Sequence, residues 1–390
     1  MSNYNIKRVF LIVLDSFGIG SLPDYKDFDD EKSNTFGALI KSGHLNIPNL
    51  KKLGLYNIDG INCENNSNSD GSFLRLREVS KGKDTTAGHF EICGEITKIP
   101  FPTFPNGFPK ECIEKLENAF GAKILCNKTY SGTEVIKDYG EQSIRERKPI
   151  VYTSADSVLQ IATHTSVFSI EELYTMCQKA REIMKGDFGV NRIIARPFEG
   201  EYPFTRSKMR KDFTVLPKNE TALDVLYRNN FEVISVGKIF DIFSGKSITK
   251  NFEAHENNEV ANQLFKVQKE DFTGLCFANF NDFDSKYGHR NNVDGYALCL
   301  NEFDKFLGQF LKNMQSNDIL FITSDHGNDP STKSTDHSRE YTPCLIYGEK
   351  IKPNCNLHTK IGLYNISATI LDIFNLKANV GESFFGEIKK

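Results

Sequence analysis

Six side chains in this sequence are of the types that hold divalent cations, and their positions are related. Asp15 directly follows the apolar run Val9–Leu14. Asp284 and His289 lie in Asn281-Asp-Phe-Asp-Ser-Lys-Tyr-Gly-His289, behind the run Leu275–Phe280. Asp325 and His326 follow Ile319–Thr323, and His337 comes soon after in Thr335-Asp-His337. Three carboxylates gathered at one place repel one another unless cations lie among them. A mixed Asp/His set suits Mn²⁺ or Zn²⁺ better than Ca²⁺, which prefers oxygen throughout. Six ligands exceed what one ion needs if positions for substrate stay open. The set therefore points to two ions about 3.5–4 Å apart, a pair that clamps both the attacking and the leaving oxygen of a phosphoryl transfer. Taken singly, each residue has a plainer reading. An Asp after a strand is commonly a turn or N-cap residue, and a lone His is commonly hydrogen-bonded on the surface or in the core. It is the recurrence behind strand ends that favours metal. His44, His89, His164, His255 and His358 lack that setting and read as structural.

A nucleophile is offered by Gly82-Lys-Asp-Thr-Thr-Ala-Gly-His-Phe-Glu91. A Thr hydroxyl is a poor nucleophile at its own pKa, and metal coordination can activate it. Small residues around it allow a phosphate to come close. The plainer reading is a turn with an N-capping Thr. Spacing does not choose between Thr85 and Thr86. Other phosphate chemistries find less support. Gly18 and Gly20 lack the third Gly of a dinucleotide loop, and there is neither a Walker A pattern nor a Gly-x-Ser-x-Gly elbow.

These residues need a scaffold that brings strand ends together. Val9–Leu14 is a continuous apolar run, the pattern of a strand buried on both faces. Similar runs recur at 192–195, 232–236, 275–280, 319–323 and 343–347. Helical patterns fall between several of them, at 171–185, 221–228, 294–314 and 363–374. Alternating strands and helices predict an α/β fold with a mostly parallel sheet flanked by helices. Ligands of such sheets gather at the carboxyl ends of strands, so the three acidic loops should share one rim. The Pro-rich stretch Ile99–Pro109 breaks this rhythm. We expect a catalytic core of residues 1–98 and 221–390, with a smaller α/β cap domain inserted at 99–220. Residues 62–71 are polar and read as a surface loop.

Composition bounds the rest. The 390 residues are 39% hydrophobic with 31 Phe and no Trp, enough to bury two cores. A net charge of −3 provides no basic field for nucleic acid. Nine scattered cysteines without a CxxC argue against a disulfide framework and for reduced thiols in a cytoplasmic protein. The N-terminal apolar run is too short for a signal or a membrane span. With no apolar surface stripe evident, a monomer is expected.

The blocks Asp15-Ser-Phe-Gly-Ile-Gly20, Lys83-Asp-Thr-Thr-Ala-Gly-His89, Thr153-Ser-Ala-Asp-Ser157, Gly237-Lys-Ile-Phe-Asp-Ile-Phe243, Tyr287-Gly-His-Arg290, Asp325-His-Gly327 and Thr335-Asp-His-Ser-Arg-Glu-Tyr341 together resemble the bacterial phosphopentomutase family, of the alkaline phosphatase superfamily. The resemblance spans nearly the whole chain. It implies an alkaline-phosphatase-like core and a phosphothreonine enzyme carrying two Mn²⁺, other divalent ions being possible. Asp284, His289 and His337 would hold one ion. Asp15, Asp325, His326 and the Thr oxygen would hold the other. The residue after Asp84 is the phosphorylated one in the family, which selects Thr85. Ser154 and Asp156 would contact the sugar, and Arg196, Arg210 and Lys238 the phosphate. The implied substrates are pentose monophosphates, with a sugar bisphosphate as activator. Phe90 stands where a Trp is common. A phosphatase on the same core would lack the acceptor-sugar contacts, and the related phosphoglycerate mutases usually carry Ser for Thr85. A non-catalytic descendant would have lost a ligand, and none is lost here.

Overall fold

The computed structural model describes residues 6–64, 67–154 and 156–390. It divides into two compact units, one of Met1–Ile99 with Pro217–Lys390 and one of Pro100–Leu216.

The first unit is built on an eight-stranded sheet. Its strands run in the order Lys250–Phe252, Glu232–Val236, Gly274–Phe280, Arg8–Leu14, Asp318–Thr323, Thr342–Tyr347, Ser72–Arg77, Cys355–Ile361. Thr342–Tyr347 is antiparallel to both its neighbours, and the other pairings are parallel. The runs read from sequence all form strands, and the central three are doubly buried throughout. Arg8–Leu14, Gly274–Phe280 and Asp318–Thr323 are buried at every position. Phe10, Phe280, Phe303, Phe306 and Phe310 share one core, Phe10 meeting Phe310 edge-on at 5.3 Å. Aromatic edge-to-face contacts of this kind add to the burial of large apolar area. The helix Val293–Lys312 covers that face with Tyr296, Leu300, Phe303, Leu307 and Phe310.

Register decides where the chemistry lies. Leu14 pairs with Phe280 on one side, and Val13 with Thr323 on the other. The three strands preceding Asp15, Asn281 and Ser324 are parallel neighbours that end level. At the opposite end, the buried Arg8 guanidinium donates to both oxygens of Asp318, at 2.8 and 2.7 Å, closing that edge with a paired charge.

The second unit has a six-stranded sheet ordered Leu125–Thr129, Ile150–Thr153, Val158–His164, Arg192–Glu199, Thr205–Arg206, with Lys211–Thr214 also paired to Arg192–Glu199. The helix Ile170–Ile183 packs Leu173, Met176, Cys177 and Ala180 into its core. Ser169 and Glu172 form a reciprocal capping box at its start.

Several elements go beyond the sequence expectations. Ser72–Arg77 and Cys355–Ile361 complete the large sheet, and the helices Lys110–Phe120 and Glu134–Glu146 belong to the second unit. Within the expected surface loop 62–71, Asn65 and Asn66 lie outside the described residues, while Ser69 is buried and bonds Asn354. The nine cysteines are all free. Among the described residues no helix is long and apolar enough to cross a membrane.

Candidate metal centre and active site

Asp15 leaves its strand through Ser16, whose φ of 69° lies in the left-handed region. That turn points the Ser16 amide at Asp325 Oδ1, 3.0 Å away, and so joins two strand ends. Asp15 Oδ2 accepts from Asn279 Nδ2 at 2.9 Å and from Lys238 Nζ at 3.3 Å. Its other oxygen, Oδ1, has no hydrogen-bond partner among the described residues, and neither has Asp325 Oδ2; both are buried. These two oxygens face His326 Nε2, at 3.5 and 3.4 Å. The Nδ1 of His326 lies 3.0 Å from the Gly327 carbonyl, which can only accept, so Nε2 is the nitrogen turned to the site.

A second group lies next to the first. His289 Nε2 is 3.2 Å from Asp284 Oδ2, and His337 Nε2 is 3.4 Å from Asp284 Oδ1. The two ring nitrogens stand 3.2 Å from each other. The Thr335 carbonyl fixes His289 through Nδ1 at 2.7 Å, and Asn328 Nδ2 donates to Asp284 Oδ1 at 3.0 Å. The ligand atoms of Asp15, Asp325 and His326 lie within 4.8 Å of one another, as do those of Asp284, His326 and His337. His326 thus belongs to both groups, with its ring 4.1 Å from that of His337. All six sequence candidates converge.

The electrostatics suit cations. Burial works against charge on Asp15, but Lys238 and His326 outweigh it and hold the carboxyl well below its usual range. Burial likewise opposes charge on Asp284, which His337 and His289 overcome. The His326 imidazole is penalised by burial, yet Asp325, Asp15 and Asp284 push it well above its ordinary value. A proton on His326 does here what a cation among these carboxylates would do. The unbonded oxygens and converging ring nitrogens make a donor set that divalent ions fit.

Thr85 opens the helix Thr85–Ile92. Asp84 caps it by accepting from the amides of Thr86 and Ala87, at 3.0 and 3.2 Å. Thr85 Oγ1 lies 3.2 Å from His326 Nε2, beside the unbonded oxygens, whereas Thr86 is buried. Of the two hydroxyls that spacing left open, that of Thr85 is the one beside His326. The helix packs tightly here: a Cβ on Gly88 would stand 2.3 Å from the Asp325 carbonyl oxygen.

Behind this site, Arg339 is fully buried. It bonds the Glu78 carboxylate and reaches the Gly82 carbonyl at 2.8 Å. Lys83 bonds Asp30 at 2.6 Å and lies 3.2 Å from Asp336. Together they tie the segment before Thr85 to the segment bearing His337.

The candidates of the second unit are arranged differently. The Asp156 amide donates to Ser154 Oγ at 3.3 Å, and the Asp156 carboxylate pairs with Arg192 at 3.3 Å; Ala155 between them lies outside the described residues. Arg196 Nε donates to Gln160 at 3.0 Å, and burial, then Arg210, lowers its pKa to about 10. Arg210 is exposed and paired with Asp212 at 2.8 Å.

Sequence reasoning missed Asn279, Asn328 and Arg339. Asn279 and Asn328 carried a weak signal, being amides inside the ligand-bearing strand and loop. His89, set aside as structural, lies 3.1 Å from Asp325.

The Metalloenzyme superfamily model matches residues 7–378. The chain is 53% identical over 389 residues to the phosphopentomutase of Lachnoclostridium phytofermentans, covering 99% of this chain and 100% of the relative. To that of Acetivibrio thermocellus it is 47% identical over 387 residues, covering 98% and 100%. A solved structure of a Pyrococcus horikoshii protein aligns with a TM-score of 0.51 at 14% identity, over 97% of this chain and 100% of that one, a likeness of fold alone.

Proposed function

The chain belongs to the phosphopentomutase family, within the metalloenzyme superfamily, and on that premise we propose that it interconverts ribose 1-phosphate and ribose 5-phosphate, and the deoxyribose pair, through a phosphothreonine at Thr85. The observation that carries this reading is the Thr85 hydroxyl placed 3.2 Å from His326 Nε2, beside two buried carboxylate oxygens with no hydrogen-bond partner among the described residues.

Asp284, His289 and His337 would hold one divalent ion, and Asp15, Asp325 and His326, with Thr85, the other. The mixed Asp/His set suits Mn²⁺ or Zn²⁺, and the family resemblance selects Mn²⁺. Bound there, the ions would neutralise the charge spread over the transferring phosphoryl group. The rest falls to the chain. Thr85, the first residue of the helix Thr85–Ile92, stands where backbone dipoles favour a phosphoryl group. In the first half-reaction the bond from phosphorus to Thr85 Oγ1 breaks and one to the free sugar hydroxyl forms. The hydroxyl's proton is released and a pentose bisphosphate results. In the second, the bond between the other phosphorus and its sugar oxygen breaks, Thr85 Oγ1 takes that phosphoryl group, and the freed sugar oxygen takes up a proton to leave the isomeric monophosphate. Lys238, already beside Asp15, would meet phosphate oxygens. Family resemblance gives the same task to Arg196 and Arg210, and sugar contacts to Ser154 and Asp156. Because a bisphosphate is on the path, a sugar bisphosphate is the natural activator. A monomer acting in the cytoplasm, with residues 99–220 as cap, belongs to the same reading.

The test follows two products from one tube. The protein is incubated with ribose 1-phosphate and Mn²⁺, alongside a chelated control, and ribose 5-phosphate and free phosphate are quantified together. Ribose 5-phosphate without free phosphate, lost on chelation, is expected. Free phosphate as the main product would make the protein a phosphatase and remove the sugar contacts.

A further inference from the structure

His89 is a fully buried polar side chain beside the site for which the reaction just described has no task. Its ring stacks on Phe277 with centroids 5.7 Å apart. Nδ1 lies 2.8 Å from the Thr85 carbonyl oxygen and 3.1 Å from Asp325 Oδ2. A carbonyl only accepts, so Nδ1 carries a hydrogen. Nε2 is buried with no partner among the described residues, which leaves Nδ1 as the ring's polar tie. Asp325 Oδ2 is the oxygen that faces His326 Nε2, while Oδ1 is held by the Ser16 and His326 amides at 3.0 and 3.1 Å. Gly88 lets the helix come into direct contact with the Asp325 backbone.

We propose that His89 is a positioning residue for the Asp15–Asp325–His326 ion. Its Nδ1–H donates to the Thr85 carbonyl, and the same ring edge lies 3.1 Å from Asp325 Oδ2 without hydrogen bonding it, a polar contact that keeps the nucleophile's helix and the ligand carboxylate in one register. Outer partners of this kind orient ligands and tune their affinity. The alternative is a ring that merely fills space against Phe277. The proposal rests on the two-ion reading above, and two substitutions separate the roles. His89→Phe keeps an aromatic ring and loses the donor. His89→Asn loses the ring and keeps an N–H close to the place of Nδ1.

Mn²⁺ is titrated into each chelator-stripped protein by calorimetry, with melting temperatures recorded in chelator to confirm folding. Wild type should take up two ions. In His89→Phe one of the two affinities should fall about 10–100-fold and the other stay unchanged. His89→Asn should stay within about threefold of wild type on the same reasoning. The reverse order, or equal affinities in all three proteins, would overturn the proposal. Should His89→Phe not fold, His89→Ala replaces it, and Asn binding no tighter than Ala overturns the proposal equally. A wild type that binds fewer than two ions would sink the two-ion reading instead, a result distinct from unchanged variants.

Discussion

The two candidate ligand groups differ in how they are enclosed. Asp15, Asp325 and His326 are at most 1% exposed and stand on the ends of neighbouring parallel strands. His289 is about one-third exposed, and it stands with His337 on irregular segments, residues 288–290 and 331–338. The inner group has Lys238, Asn279, Ser16 and His89 packed around it and no solvent to relax into. In the outer group Asp284 and His337 are buried as well, but His289 can exchange a lost partner for water. An uncompensated buried charge costs far more than an exposed one, so damage to the inner group should be felt more strongly.

The largest effect expected is that of Thr85→Ala. Mutase turnover should fall about a thousandfold or more, since the proposed phosphoryl acceptor is gone. Ribose 5-phosphate formation measures this, and Mn²⁺ titration should find the outer affinity intact. Full turnover in this variant would remove the phosphothreonine reading.

Substitutions of ligands test the contrast directly. His326→Ala should weaken Mn²⁺ binding about 10²–10⁴-fold, the equivalent of the ~3–5 kcal/mol lost when a buried charge partner is removed. His289→Ala should cost about tenfold, because water can take its place. Equal losses, measured by calorimetry, would show that enclosure does not separate the groups.

Chelation should lower the melting temperature, since each site filled to about 100 times its Kd stabilises by about 2.7 kcal/mol. Amide hydrogen exchange should rise most in 331–338 and least in the strands Arg8–Leu14 and Asp318–Thr323. Uniform exchange across these segments would contradict the comparison. The smallest effect should come from Arg210→Ala, whose guanidinium is exposed and already paired with Asp212. A rise in KM of up to about tenfold with kcat nearly unchanged is expected in steady-state assays, the mark of lost uniform binding.

Much of the inner group could be read without coordinates. Continuous apolar runs ending in Asp15, and in Ser324-Asp325-His326, carry both the strand and its terminal ligand in a few residues. The supports were harder to see. Asn279 looks like one polar residue in an apolar strand, and it matters only because Asp15 ends the adjacent one. His89 reads as a buried ring until helix packing brings it to Asp325. Ser72–Arg77 escaped notice because Arg75 and Arg77 break its apolar pattern. In the fold Arg75 bonds Thr359 and lies 4.3 Å over the Tyr341 ring, both supplied by distant segments.

The sequence by itself determined which side chains could bind metal, the local order of strand and ligand, and an alternating α/β chain. Those are properties of residue type and short-range periodicity, carried by neighbours in the chain. Tertiary structure decided that Arg8–Leu14 lies between Gly274–Phe280 and Asp318–Thr323, that Thr85 rather than Thr86 faces His326, and that two oxygens are left unbonded. These depend on strand order, register and the close approach at Gly88. Such contacts join residues hundreds of positions apart, and no local pattern encodes them.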